Sequence, residues 1–543
     1  MQNSPLFDEP RHLIAGACHL SFQRFDIYRV TTPLPRMVTS LAVVLVGPEI
    51  DWRSFKSDVD FVAESVIARE YLKDHAAEFR TTLILARILC IPFAIIGALV
   101  CSRWAKEMFG AAAGMLALTF WCASPLIQGC ASTIMPDVAA ASMIVCAGWR
   151  FWHWLKQPSV GNLFWATLAL GTALLCRTTA IIAFPVWLLS FAVCRWQKSP
   201  ERPPTVLGFV LLGIGSIYIL NLGYLFQGSM LPLGEYRFVS ETFGGAQTDS
   251  NPQINYGNRF QGTWFGNLPV PLPQPYLEGI DFLESEYEGG MRSYLRGRWK
   301  EHGWWYYYLY CLLVKCSIPE MLLAFASVLT FLLNGRRAMR PFESVLLLGF
   351  ATVFLAVQSC HSGLSHHVRY LLPAFPFAFI FISQIANHVA TASRVKKSLF
   401  VVLIFWLLTD GLFCHPHQLS YFNELIGGPR QGYKHLLESN IDWGQDLYHL
   451  DNWIRKHAGF RPTIIDYYGF AEPEEFNVCS GANVLMETVH GTRLETLLKG
   501  KEPFLLCVSV GIFEREDRYD FLRGRTPDYR VGYSILVFEL GQE

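Results

Sequence analysis

Long apolar runs bounded by glycine, proline or charge recur between residues 82 and 414. A helix needs about 20 apolar residues to cross bilayer hydrocarbon. Ten segments approach that length: 82–102, 108–126, 137–155, 161–176, 178–194, 205–226, 316–334, 343–359, 368–388 and 398–414. The gaps between them alternate in character. Arg103/Lys106, Arg150/Lys156, Arg195/Lys198/Arg202, Arg336/Arg337/Arg340 and Arg394/Lys396/Lys397 form short basic gaps, which the positive-inside rule assigns to the cytoplasm. Residues 1–80, 125–137, 227–303, 360–367 and everything after 414 then fall on the opposite side.

Outside the apolar block the pattern changes. Residues 37–46 are apolar but too short to span, and they predict an interfacial helix; residues 61–73 predict another. Nothing before Asp8 would carry the first 80 residues across a membrane, so one more transmembrane helix is expected upstream of this start. After Cys414 the hydrophobicity falls, and the text predicts a helix over 432–457 and strands over 462–468, 504–510 and 532–539. The expected fold is therefore mainly α, a polytopic membrane protein with a small extracytoplasmic α/β domain. Its parts are a first external loop (1–80), a transmembrane helical domain (81–414) and the C-terminal domain (415–543).

Composition narrows the class of partner. Lys and Arg number 45 against 45 Asp and Glu, so the chain lacks the basic footprint of a nucleic-acid binder. A mean hydropathy of +0.26 with 16 Trp and 40 Phe suits contact with lipid. The 14 cysteines include no CxxC pair and most lie in apolar runs; Cys479 and Cys507 in the polar region are a speculative bridge.

Charges at the ends of spanning helices are costly and mark functional candidates. On the outer side these are the acids Asp8, Glu9 and Asp137 and the cations Arg177, Lys315 and Arg369. The plain alternative for Asp137 is a helix N-cap beside Pro136, and for each cation a side chain reaching to lipid headgroups. Together they suit a phosphate-bearing lipid, with cations gripping phosphate and a carboxylate handling a proton. His361, His366 and His367 with Cys360 form a second cluster, read as hydrogen-bonding or phosphate-facing ahead of a zinc site. The run GWWYYYLY (303–310) reads as an aromatic belt at a membrane interface. Residues 439–446, SNIDWGQD, read as a structural turn ahead of an acceptor-contact loop.

These residues, taken in order, resemble the GT-C membrane glycosyltransferases, and within them the prokaryotic family 39 or protein-mannosyltransferase-like group. The resemblance is carried by FDEPRHLIAG with Asp8 and Glu9, FDIYRVTTPLPR, MPDVAAA with Asp137, LLCRTTAIIAFP, LLVKCSIPE, VRYLLPAFP and residues 415–447, which begin HPHQLSYFNELIGG. It implies a polyprenyl-phosphate-linked sugar as donor, mannose-like, and a hydroxyl acceptor on protein, glycan or lipid. It also implies transfer with inversion on the outer face of the plasma (inner) membrane, with membrane lipids as the other partners. By that resemblance Asp8 is the general base, Glu9 assists or positions it, and Asp137 orients the acceptor or the first loop. Lys315, Arg369 and Arg177 lie near the donor phosphate, while His361, His366, His367 and Tyr370 are donor or acceptor contacts. No cofactor is obligatory by the same resemblance; a divalent metal on Asp8, Glu9 and a histidine stays open. The chain departs from the pattern at Thr32, where a proline is expected, and at Cys316-Ser317, which interrupts a tighter Lys-Thr-Pro.

Two other readings of the same charges are a lipid-carrier transporter and an inactive binder of lipid-linked sugar. A transporter places its charges near the bilayer midplane and commonly shows repeated halves; here the acids gather at one face and no repeat is visible.

Overall fold

The computed structural model describes residues 3–46, 49–53, 63–197, 203–245, 256–334, 339–360, 363, 365–476, 478–479, 483–486, 494 and 503–541. His361, Lys198, Arg202, Arg336 and Arg337 lie outside the described residues.

The chain is an integral membrane protein, mainly helical, with a small mixed sheet near its C-terminus. Among the described residues, five helices are long and apolar enough to cross a membrane: Ala76–Phe109, Thr178–Trp196, Val206–Gly223, Pro341–Cys360 and Val368–Val389. Two bent pairs raise that to seven if each is one span: Ala111–Ala123 with Pro125–Ala131 at 58°, and Tyr307–Lys315 with Ile318–Leu333 at 114°. Every one of the ten expected segments falls on helix, but not every one makes a full apolar span. The helix Val160–Cys176 is short at 17 residues, and Pro136–Lys156 and Arg394–Phe413 carry charge. The helices Val206–Gly223 and Arg394–Phe413 present apolar outer faces of the kind a lipid-facing surface requires, with Leu207, Ile214, Phe405 and Leu412 all more than half exposed.

The described residues before Ala76 include the helices α1 (Glu9–Phe22), α2 (Pro33–Val46) and α3 (Ala63–Asp74); α2 and α3 pack against the long α4 (Ala76–Phe109), and α1 packs on α2 and α3. Pro33 opens α2 because its fixed φ suits a first turn, which starts the helix four residues before the apolar run alone predicts. α1 and α2 touch at Gly16, where a Cβ would come within 2.3 Å of the Arg36 carbonyl oxygen. The 34 residues of α4 span about 51 Å, well beyond the roughly 30 Å of hydrocarbon.

The ends of the bundle differ. Glu107 accepts from Trp149 at 3.2 Å and pairs with His153 at 3.0 Å, while Trp152 donates to Glu343 at 2.9 Å. Three of the gaps predicted to be cytoplasmic, those holding Arg103/Lys106, Arg150/Lys156 and Arg340, thus meet at one end. Asp137 lies in the first turn of Pro136–Lys156, a helix of 21 residues or about 32 Å, and so marks the other end.

Beyond the last long helix, the expected helix over 432–457 is replaced by 3-10 turns at Pro429–Lys434 and Glu438–Asn440, and the α-helix begins only at Leu447. Side-chain periodicity does not register that Gly444 takes a φ of +85°, which ends any helical path there. Residues 415–446 are instead sewn into the bundle: Lys315 Nζ donates to the carbonyls of Leu419 at 3.0 Å and Asn440 at 2.6 Å. Earlier in the chain β1 (Ser293–Leu295) and β2 (Arg298–Lys300) form a separate antiparallel pair; after Leu447–His457 comes the main sheet, in the order β4 (Val484–Met486), β3 (Thr463–Asp466), β5 (Phe504–Ser509), β7 (Ile535–Leu540), β6 (Tyr529–Val531). β3 runs parallel to both β4 and β5, whereas β7 is antiparallel to β5 and β6. The three expected strands are present, and β4 and β6 join them as short edges. Alternate residues face opposite ways: Ile464 joins the large bundle core and Ile465 the core shared with the helix Leu447–His457 and with α1, α3 and α4. Cys479 and Cys507 are buried free thiols, so the speculative bridge between them does not form.

Asp442, buried beside this helix start, has its carboxyl pushed up to about 8, chiefly by burial and only partly opposed by the Gly444 amide. It is therefore protonated in the folded protein at neutral pH and ionised when unfolded. Because the folded value is raised, the unfolded chain gives up this proton first, and stability falls as pH rises from about 4 to about 8. Asp442→Asn is expected to flatten that decline, raising the melting temperature at pH 7.5 but hardly at pH 4. Thermal unfolding across pH in a lipid nanodisc checks it, and parallel curves for both proteins would refute it.

Candidate active site

A cavity of about 680 Å³ opens where α1, the start of Pro136–Lys156, the loop helix Gln274–Gly289 and the C-terminal region meet. Of the residues singled out in the sequence, Asp8, Arg177, His366, His367, Arg369 and Tyr370 line it.

Asp8 sits one residue before α1, its carboxylate facing Arg11 at 3.7 Å and Arg369 at 3.9 Å. These are long contacts, so the carboxylate is attracted without being fully consumed. Burial raises its pKa, opposed first by Arg369 and then by Arg11. The preceding Phe7 stacks on Tyr468 at 5.6 Å between centroids, which fixes the start of α1 against the C-terminal domain.

Glu9 faces away. One of its oxygens accepts from Arg87 Nε at 3.0 Å and the Ile134 amide at 3.1 Å, the other from Arg87 at 2.6 Å and the Leu6 amide at 2.9 Å. With four donors on two oxygens and no exposure, it neither lines the cavity nor offers a metal ligand. It is a positioning residue that clamps the first turn carrying Asp8 to α4. Removing one member of such a buried pair costs about 3–5 kcal/mol, so Glu9→Gln is expected to lower the melting temperature strongly. Each folded molecule should still turn over faster than Asp8→Asn. The double change Glu9→Gln/Arg87→Met should recover part of the stability, and denaturation curves of the three variants check the order.

Asp137 is not an N-cap. The helix begins at Pro136, and the Asp137 side chain, fully buried, is held by Arg177 on one oxygen and by Arg369 at 3.3 Å on the other. Asp137 does not line the cavity; it sits behind the two arginines and fixes them. Arg177 reaches this place because the chain is extended there (φ −163°, ψ 140°), between the end of Val160–Cys176 and a 3-10 turn at Thr178–Ile182. Arg369 follows His367, also extended, and its Nε donates to Ser439 Oγ at 3.2 Å, which in turn meets His367 Nδ1 at 2.7 Å. The guanidinium of Arg369 lies 4.1 Å from the Trp443 ring, and Arg177 lies 5.1 Å from Tyr370. Residues 439–446 are thus a structural turn, and Ser439 and Trp443 within it also line the cavity. Burial lowers the pKa of both His366 and His367, keeping them neutral.

Lys315 is not at the cavity. Its two carbonyl bonds and its place 4.3 Å from the Phe422 ring make it a buried fastener of residues 419–440. The expected aromatic belt is also divided: Trp305 is exposed, but Tyr307 and Tyr308 are interior, with Tyr307 Oη donating to the His366 carbonyl at 3.0 Å.

Several lining residues escape a reading of the sequence. Arg11 was legible in principle, one helical turn from Asp8. Glu286, Tyr468, Glu438 and Arg515 carry no local signal; they come from the 227–303 loop and the C-terminal domain. Glu286 is pushed up to about 7 by burial and then by Asp8. Arg515 pairs with Glu438 at 2.6 Å at the cavity edge.

No family model matches the chain, and no curated protein matches it in sequence. Among solved structures it is similar to ArnT from Cupriavidus metallidurans bound to undecaprenyl phosphate, with a TM-score of 0.43 and 13% identity over 99% of this chain and 94% of that one. The same protein in the apo state gives 0.43 and 15% over 99% and 93%. An oligosaccharyltransferase from Archaeoglobus fulgidus, tethered to an acceptor peptide containing the NVT sequon, gives 0.40 and 10% over 89% of this chain and 60% of that one.

Proposed function

We propose that this protein is a GT-C membrane glycosyltransferase that moves a mannose-like hexose from a polyprenyl-phosphate donor to a hydroxyl acceptor. The reaction takes place at the extracytoplasmic face of the inner membrane. The observation that carries the reading is the cavity itself: one loosely held carboxylate, Asp8, faces Arg369 and shares the cavity with Arg177, and these two arginines share the buried counter-ion Asp137. The sequence resemblance gives Asp8 the role of base and places Arg177 and Arg369 near the donor phosphate; for Asp137 it implied orienting the acceptor or the first loop. The site also lies at the end of the bundle away from the basic gaps, where an extracytoplasmic reaction belongs.

In this reading the acceptor hydroxyl gives its proton to Asp8 as its oxygen attacks the anomeric carbon. The bond from that carbon to the phosphate oxygen breaks on the opposite face, so the configuration inverts. The leaving polyprenyl phosphate carries the electron pair into the field of Arg177 and Arg369. A phosphate leaving group needs little protonation, so fixed cations stand where a glycosidase uses an acid. Glu286, about half protonated near pH 7, is placed to bond a sugar or acceptor hydroxyl.

The test is transfer by the full protein in nanodiscs, with a panel of radiolabelled polyprenyl-phosphate sugars and membrane extract as acceptor. Label leaving the lipid for a protein, glycan or lipid fraction supports the reading and names both substrates. Binding of the donor with no transfer across the panel would replace it with an inactive binder or a carrier.

A further inference from the structure

The transferase reading leaves a cluster of metal-binding side chains unused at the start of the helix Leu447–His457. His417, Asp446 and His449 each present one donor atom, all within 4.8 Å of one another, the one such group among the described residues. We propose that these three residues bind a divalent transition-metal ion, with zinc the best match to their chemistry. The proposal stands apart from the transferase reading.

Asp446 immediately precedes the helix and His449 follows three positions later, so both project from one side of the first turn. His417 arrives from the loop after the helix Arg394–Phe413, with Nδ1 2.8 Å from Asp446 Oδ1. Two ligands each about 2.0–2.1 Å from one tetrahedral ion stand about 3.3 Å apart, so a small opening of this contact admits the ion.

Asp446 is fully buried, yet its one ion-pair partner among the described residues is His417. A buried carboxylate without a Lys or Arg is expensive, and a divalent cation would supply the missing charge. Its second oxygen already accepts from the Ser534 hydroxyl at 2.7 Å, the kind of outer bond that orients a ligating carboxylate. The neighbouring chain is shaped around that oxygen: Gly532 has φ +56°, and a Cβ there would stand 2.1 Å from Asp446 Oδ2.

Two imidazoles and one carboxylate favour zinc over calcium or magnesium, which take mainly oxygen ligands. Asn3 Oδ1, 3.3 Å from His449 Nε2, lies close enough to contribute a further oxygen, and a polar cleft lined by His417 and Tyr533 offers a way in. The ion's place has a structural consequence. Ser4 donates its amide to the Gln445 carbonyl at 3.0 Å and its hydroxyl oxygen accepts from the Leu447 amide at 3.0 Å, so the segment leading to Asp8 runs past the cluster. A bound ion would fasten that segment to the C-terminal region.

The experiment uses the full protein in nanodiscs with any affinity tag removed. It is stripped with a chelator, incubated with zinc, desalted and assayed for metal by mass spectrometry and for thermal stability. One zinc per chain, a higher melting temperature with zinc than with chelator, and loss of both in His417→Ala and His449→Ala is the expected result. Cobalt gives a second readout that needs no folded variant: ligand-field bands in the unmutated protein that zinc displaces. The proposal is overturned if the unmutated protein retains no zinc above a His417→Ala/His449→Ala double variant, or if cobalt gives no displaceable bands.

Discussion

Replacing Asp8 with Asn is expected to abolish sugar transfer, with a loss in kcat of about 10²–10⁴ if the carboxylate is the general base. The fold should survive, because the contacts of Asp8 with Arg11 and Arg369 are long, at 3.7 and 3.9 Å, and Arg369 keeps its shorter contact with Asp137. Donor binding should persist as well, since Arg177 and Arg369 keep Asp137 as counter-ion. The pH profile offers an independent check. A base works when deprotonated, and burial raises the Asp8 pKa, so kcat/KM should climb with pH through a limb above the ordinary carboxylate range. Glu286 becomes charged only as pH passes about 7, raised there by burial and then by the charge of Asp8. Asp8 therefore ionises first, and Glu286→Gln should leave its limb in place. An undiminished rate in Asp8→Asn would remove this residue from the chemistry.

How far the site was legible depended on where each charge finds its partner. Asp8, Arg177 and Arg369 stood out because a charge beside an apolar run is costly unless used, and all three line the cavity. Glu9 and Lys315 stood out for the same reason and are used differently. The partner of Glu9 is Arg87 on the next long helix, and those of Lys315 are carbonyls 104 and 125 residues onward. Neither separation leaves a trace in local spacing. Glu286 was invisible for the opposite reason: it sits in a polar helix where an acid is ordinary, and only packing half-buries it at the cavity. The helical bundle was legible as a set of apolar runs, since every run became helix. The bends were not, because a 114° turn at Cys316-Ser317 changes direction without changing composition. The tight turns of 429–446 were missed similarly, being held by contacts such as Asn440 with the Tyr307 hydroxyl and the His366 carbonyl.

The second large effect concerns Asp137, and it separates structure from catalysis. Asp137→Asn should destabilise the protein by about 3–5 kcal/mol, since it leaves Arg177 and Arg369 close together with their shared buried counter-ion removed. If the arginines receive the donor phosphate, polyprenyl phosphate can restore part of the missing charge. The variant should then gain more thermal stability from added polyprenyl phosphate than the unmutated protein does, although it begins less stable. Asp137→Asn/Arg177→Met, which removes one charge of each sign, should recover stability without recovering activity, because the phosphate then meets one arginine in place of two. Melting curves of the three proteins with and without polyprenyl phosphate distinguish the outcomes. A stable Asp137→Asn would refute the shared counter-ion, and an unstable variant that gains nothing from the lipid would refute phosphate binding at Arg177 and Arg369 while leaving the structural role of Asp137 intact.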